Sequence, residues 1–213
     1  MAVLSSAGKK SKRRPRHTPK ETEREILEAA ERLLRERPFR EVTIPEVMRN
    51  TGLKRPAFYV HFRDRSALMM RIVEHLGDDL FEMADRWLEG DKPEQDMLAA
   101  LEGVAAVWVI HGPVLRALSE AASSDAVLEE AYGALVRGFV DATSEHIRAE
   151  QLAGRSPAQL DADRTAKALC LMTERFLIES FGHEPQDDPG LVAAVLLRIW
   201  LATLYGISPA AAV

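Results

Sequence analysis

Apolar residues recur at steps of three and four along most of the chain, and no segment sustains the strict alternation of a strand, so the pattern predicts helices throughout. The first stripe, Ile26, Leu27, Ala30, Leu33 and Leu34, opens near Thr22 and stops near Pro38. Thr43-Ile44-Pro45-Glu46 follows, a capping-box arrangement with proline tolerated in the first turn, and it starts a second, short helix that runs to about Asn50. Thr51-Gly52 supplies a turn in which glycine is expected to take a positive φ. A third short helix is expected from about Lys54 to Val60. Asp64 is the expected N-cap of a long fourth helix whose buried stripe reads Leu68, Ile72, Leu76, Leu80, Met83 and Trp87, ending at Gly90 to Pro93. Five more helices are expected at roughly 94–110, 113–122, 125–150, 157–182 and 189–205, the first two divided at Gly112-Pro113. The predicted fold is all-α, with about nine helices.

The last two helices are apolar nearly all round, so they are expected to be covered on more than one side, by the rest of the domain and by a second subunit. The longest apolar run, Leu191 to Leu197, is too short to span a bilayer and is broken by Arg198, and the opening residues do not resemble a secretory signal. The single cysteine, Cys170, rules out an intramolecular disulfide and fits a reducing cytosol. A cytoplasmic protein with no membrane partner is therefore expected.

A formal net charge of −5 argues by itself against a nucleic-acid partner, but the charge is unevenly divided. Residues 1–71 hold 18 Lys/Arg against 9 Asp/Glu, whereas residues 72–213 hold 10 against 24. The N-terminal part is suited to a polyanion and the remainder is not. Seven basic side chains and no acidic one lie in residues 1–20, among Ser, Gly and Pro, a composition expected to be disordered alone. Such an arm either follows DNA or merely aids solubility. The expected division is a basic arm at 1–20, a head at 21–66 and a larger domain at 67–213.

Two short helices at 43–60, joined by a glycine-containing turn and supported by the first helix, form the pattern of a helix-turn-helix. Lys54 and Arg55 at the start of the second short helix suit guanine O6 and N7 or a phosphate, while Phe58 and Phe62 pack inward. Thr43-Ile44-Pro45-Glu46-Val47, Thr51-Gly52-Leu53-Lys54-Arg55-Pro56-Ala57-Phe58-Tyr59-Val60-His61-Phe62 and Asp64-Arg65-Ser66-Ala67-Leu68 together resemble the signature of the tetracycline-repressor (TetR) family. The resemblance implies that Lys54, Arg55, Ala57 and Tyr59 face the major groove, that Thr43, His61 and Arg65 hold phosphates, and that the fourth helix joins the head to a ligand domain.

Farther along, Leu169-Cys170-Leu171-Met172-Thr173-Glu174-Arg175-Phe176-Leu177, Ser180-Phe181 and Arg198-Ile199-Trp200-Leu201-Ala202-Thr203-Leu204-Tyr205-Gly206 resemble a mycobacterial branch of that family, in which ligands fill a long apolar tunnel. The positions this implies here are Met97, Val104, Trp108, Tyr132, Val136, Phe139, Thr143, Cys170, Thr173, Ile178 and Trp200. On periodicity alone the aromatic stripe Trp108, Tyr132, Phe139 and Trp200 is more often closed core than cavity. Thr173 is the expected orienting group, with Glu174 and Arg175 left to structural roles. No Gly-rich phosphate loop, His-x-x-x-His pair or serine elbow occurs, and the six histidines are scattered singly, so neither catalysis, a metal nor a cofactor is expected. The function expected is a ligand-responsive repressor that binds a near-palindromic operator as a homodimer through the last two helices and is released by a neutral, elongated apolar effector. A helical apolar-ligand or lipid carrier and an all-helical enzyme are the alternatives.

Overall fold

The computed structural model describes residues 18–90 and 92–206, and among these there are eight α-helices and no strand. The basic arm lies outside the described residues, except that α1 (Pro19–Glu36) begins before Thr22 and takes in Lys20. Thr18 closes a capping box with Glu21, and Ile26, Ala29, Ala30, Leu33 and Leu34 form the buried stripe of α1. A 3-10 turn at Phe39–Glu41 leads into α2 (Ile44–Arg49) and α3 (Pro56–His61). The turn between them is made without a positive φ at Gly52, since among the described residues only Gly154 and Gly206 have one. Side chains hold it instead: Thr51 Oγ1 donates to the Met48 carbonyl at 2.8 Å and accepts from Leu53 N–H at 3.2 Å.

Asp64 caps α4 (Arg65–Leu88), accepting from Ala67 N–H at 2.8 Å. Next come α5 (Pro93–Ala122), α6 (Ala126–Leu152), α7 (Ala162–Phe181) and α8 (Pro189–Tyr205). Helix α7 starts later than expected because Asp161 is its cap, and the preceding loop is tied down by Gln151 Nε2, which donates to the Pro157 and Leu160 carbonyls.

The expected break at Gly112-Pro113 does not occur: α5 runs straight through it, giving eight helices rather than nine. Proline removes the N–H that would bond the Val109 carbonyl, a loss that normally ends or kinks a helix. Here Gln186 Nε2, from the α7–α8 loop, donates to that carbonyl at 3.1 Å, and Arg35 Nη1 of α1 donates to the next one, at Ile110. Gly112 is required at its position, because a Cβ there would collide with the Phe181 carbonyl at the end of α7. Joined in this way, α5 is the one described helix long and apolar enough to cross a membrane, but it packs against α4, α6, α7 and α8.

One continuous core runs from Phe58 and Leu34 in the head through Leu68, Ile72 and Leu76 to Trp108 and Leu201. Head and larger domain therefore share α4 as a common wall. Polar ties across the junction are Ser66 Oγ to the Asp125 carboxylate at 2.9 Å and Arg35 to the Ile110 carbonyl.

Candidate functional site

The short helix α3 is anchored by Phe58, which is wholly buried with its ring 5.5 Å from that of Phe62. This anchor turns the opposite side of the helix outward. Lys54 and Arg55 are exposed, and so are Tyr59 at 50% and Val60 at 77%, values that leave their side chains free to meet a surface. Arg55 Nη2 donates to the Tyr59 hydroxyl at 3.2 Å, one helical turn away, so the two present as a unit. Ala57 and His61 are half-buried beside them.

Thr43 and Arg65 are engaged within the head. Thr43 Oγ1 donates to Glu46 Oε2 at 2.7 Å and the Thr43 N–H bonds the same oxygen at 3.1 Å, closing the capping box of α2. Those bonds, with Thr43 foremost, hold the Glu46 carboxyl below its ordinary range, and Arg37 adds a 2.9 Å ion pair. Arg65 Nη1 reaches inward to the Phe39, Arg40 and Val42 carbonyls at 2.9–3.4 Å, with its guanidinium 4.0 Å from the Phe39 ring centroid. Arg65 thus holds the approach to α2 in place.

The larger domain encloses a cavity of about 130 Å³ among α4, α5, α6, α7 and α8. Helix α4 contributes Leu80, Ala84, Trp87 and Leu88; α5 contributes Met97, Ala100, Leu101, Val104, Trp108 and Leu115. The remaining wall is Tyr132, Leu135, Val136, Phe139 and Thr143 from α6, Cys170, Thr173, Glu174 and Leu177 from α7, and Trp200 from α8. Most of its few polar groups are already paired. Trp200 Nε1 donates to Thr173 Oγ1 at 3.0 Å, Tyr132 donates to Glu174 Oε1 at 2.7 Å, and Thr143 Oγ1 lies 3.6 Å from Cys170 Sγ. Burial pushes the Cys170 thiol up, so it stays protonated. Thr173, having accepted from Trp200, keeps its own proton to offer.

Two families match the sequence, each over one of these regions. Residues 26–72 match the bacterial regulatory proteins of the tetR family, and residues 97–206, more than half of the chain, match the C-terminal domain of the transcriptional regulator EthR. The chain belongs to the TetR family. It is 29% identical over 204 residues to the HTH-type transcriptional regulator EthR of Mycolicibacterium smegmatis, covering 94% of each chain. Its fold is similar to that of the fatty acid degradation regulator FadR from Bacillus halodurans, with a TM-score of 0.75 at 12% identity over 88% of this chain and 97% of the other. It is similar too to AibR, solved with isovaleryl coenzyme A and operator DNA, with a TM-score of 0.67 at 18% identity over 87% and 98%.

The matched families and relatives are transcriptional regulators and not enzymes, so this TetR-family regulator carries a helix-turn-helix head for DNA and a second domain with other work. Ten of the eleven positions expected on the cavity wall lie there; Ile178 is buried off the wall and its neighbour Leu177 takes the place. Sequence reasoning missed the whole contribution of α4, since Leu80 and Trp87 read only as core stripe. It also left Glu174 to structure. A charged residue inside an otherwise apolar helix was the available signal for it.

Proposed function

We propose that this regulator is a ligand-responsive repressor that binds a near-palindromic operator as a homodimer and lets go when a small apolar molecule occupies the cavity. The observation that carries the reading is that α4 and α5 wall the cavity and also hold the head. Helix α4 starts at Arg65 beneath the helix-turn-helix and ends at the cavity with Trp87 and Leu88. Helix α5 lines the cavity at Trp108 and two residues later bonds α1 through Ile110. A ligand that prefers one spacing of these helices shifts the heads, which must sit roughly 34–36 Å apart to read successive major grooves.

In this reading Lys54, Arg55, Ala57 and Tyr59 read base edges, while Thr43, His61 and Arg65 serve the phosphates, Arg65 chiefly by fixing the approach to α2. The basic arm at 1–20, the head at 21–66 and the effector and dimerisation domain at 67–213 divide the work. Dimerisation runs through α7 and α8. Phe181 and Leu197, large residues of those helices, face the chain's own core, whereas Leu171, Leu191, Val195 and Ile199 are 37–70% exposed, and the last three form one stripe at steps of four along α8. Monomeric proteins rarely leave such a stripe bare. The working place is the cytoplasm, with the chromosome as partner.

The test is to recover genomic fragments bound by the full chain and titrate one by fluorescence anisotropy, with and without compounds that raise the melting temperature. Binding with a steep salt dependence, weakened by those compounds, is expected. Compounds that stabilise the protein yet leave operator affinity unchanged would remove the effector role and leave a DNA-binding protein without a small-molecule input.

A further inference from the structure

The cavity combines two features that select a particular ligand chemistry. All three tryptophans of the chain, Trp87, Trp108 and Trp200, lie on its wall together with Tyr132 and Phe139. Trp87 and Trp200 meet edge to face with centroids 5.4 Å apart. Their indole N–H groups are used elsewhere, Trp87 on the Tyr205 hydroxyl at 3.4 Å and Trp200 on Thr173, so what they offer a ligand is ring surface.

The second feature is Glu174. It stands on the same wall, and no lining side chain among the described residues is Lys, Arg or His. Its one hydrogen-bond partner there is the Tyr132 hydroxyl, a neutral donor. The buried acid of α6, Glu150, is by contrast compensated by two hydrogen bonds from Arg155. The neighbouring Arg175 is directed to Glu179 at 2.5 Å and not to Glu174. Burial, and then the Glu174 charge, raise the Tyr132 hydroxyl well above its ordinary range, which keeps it the donor and the carboxylate the acceptor. A carboxylate on an apolar wall with no cationic side chain beside it offers a negative charge that a bound cation can meet.

We propose that the cavity takes a small hydrophobic organic cation, an aryl- or alkylammonium, whose charge meets Glu174 and whose apolar body lies among Trp87, Trp108 and Trp200. Aromatic rings draw a cation by their quadrupole and the carboxylate adds the opposite charge. Thr173 is a further donor, suited to any acceptor the ligand carries. The size is set by the space: apolar cavities of roughly 150 Å³ hold benzene, so one ring or a short chain fits. Carboxylates and phosphate-bearing ligands are disfavoured, because the wall supplies no cation to receive them. This inference rests on the reading of the cavity as an effector site, and it replaces the neutral, elongated ligand expected from the sequence with a short, charged one.

Three probes of one shape, benzylammonium, benzyl alcohol and benzoate, titrated into the full chain at pH 7 with tryptophan fluorescence as the readout, test it directly. Benzylammonium is expected to bind about tenfold more tightly than benzyl alcohol, and benzoate more weakly than either. In Glu174→Gln the ammonium advantage should fall to within about twofold while benzyl alcohol binding is kept. Tyr132→Phe, which leaves the carboxylate without its donor, should keep or widen the ammonium preference even if the first variant does not fold. Benzyl alcohol equal to or tighter than benzylammonium in the unmodified chain would overturn the cation assignment and leave the effector site standing. Failure of all three to bind would overturn the effector site itself.

Discussion

The head and the larger domain solve opposite problems with the same helical material. In residues 1–71 basic side chains outnumber acidic ones by 18 to 9, and the groups suited to DNA, Arg55 and Tyr59 among them, stand on the outside of α3. In residues 72–213 the balance is reversed, and the groups suited to a ligand line an interior space drawn from five helices. A surface for a polyanion needs only that a short helix be anchored on one side, as Phe58 anchors α3. A cavity needs several helices held apart, so its chemistry depends on residues scattered from Leu80 to Trp200.

The sharpest way to break this contrast is to remove the anchor. Phe58→Ala should cost about 3–5 kcal/mol and abolish operator binding, while stabilising compounds still raise the melting temperature of the larger domain. Loss of ligand binding in that variant would mean the regions do not fold separately enough for the comparison to hold. Arg55→Ala is milder: operator affinity should fall by about 1–3 kcal/mol and the preference at one base pair should relax, with the ligand response untouched. Anisotropy against a panel of single-base operator variants measures both effects, and identical affinity for all of them would take Arg55 off the bases.

Gln186→Ala tests the junction. It leaves the Val109 carbonyl without the donor that lets α5 pass through Pro113, at an expected cost of about 1–3 kcal/mol in urea unfolding. Because α5 also bonds α1, this variant should alter the coupling between ligand and DNA as well as stability. An unchanged unfolding midpoint would show that the carbonyl finds another donor.

The smallest expected effect is a pH dependence confined to the larger domain. His146 sits 4.2 Å from Trp87 between ring centroids and bonds the Leu88 carbonyl through Nδ1, and burial, its leading influence, lowers its pKa from the usual 6.5. Glu150 opposes that shift and Arg155 adds to it. As pH falls below about 6.5 the unfolded chain takes up the proton before the folded one does, so stability is full above that value and declines beneath it. Melting curves between pH 8 and 5 should therefore slope downward on the acid side, and His146→Phe should flatten that slope. Curves that coincide for the two proteins would assign the slope to other groups.

The head was the more legible of the two regions. The Thr43 capping box, the Asp64 cap, the inward Phe58 and Phe62 and the outward Arg55 all follow from spacing within four or five residues, the range over which a helix end or a helical face is decided. Even there the inward reach of Arg65 was hidden, because its carbonyl partners lie more than twenty residues earlier in the chain. In the larger domain the chain's own pattern marked only the aromatic residues of the wall, and its other expected positions came from the family resemblance. The α4 contribution looked like ordinary core because a buried leucine facing a void and one facing a neighbour have the same sequence pattern.

By itself, then, the sequence determined the helical character of the chain, the caps at Thr43 and Asp64, the division of charge and the face that α3 turns outward, since each depends on local hydrogen bonding, local periodicity or simple composition. Tertiary structure alone decided that α5 continues through Pro113, that a cavity opens beside three tryptophans and that Glu174 stands on its wall without a cation. A backbone carbonyl freed by proline is satisfied or not by whatever lies beside it, here a glutamine from a loop more than seventy residues later. Empty space and an uncompensated charge are likewise properties of what surrounds a residue, fixed only when distant helices come together.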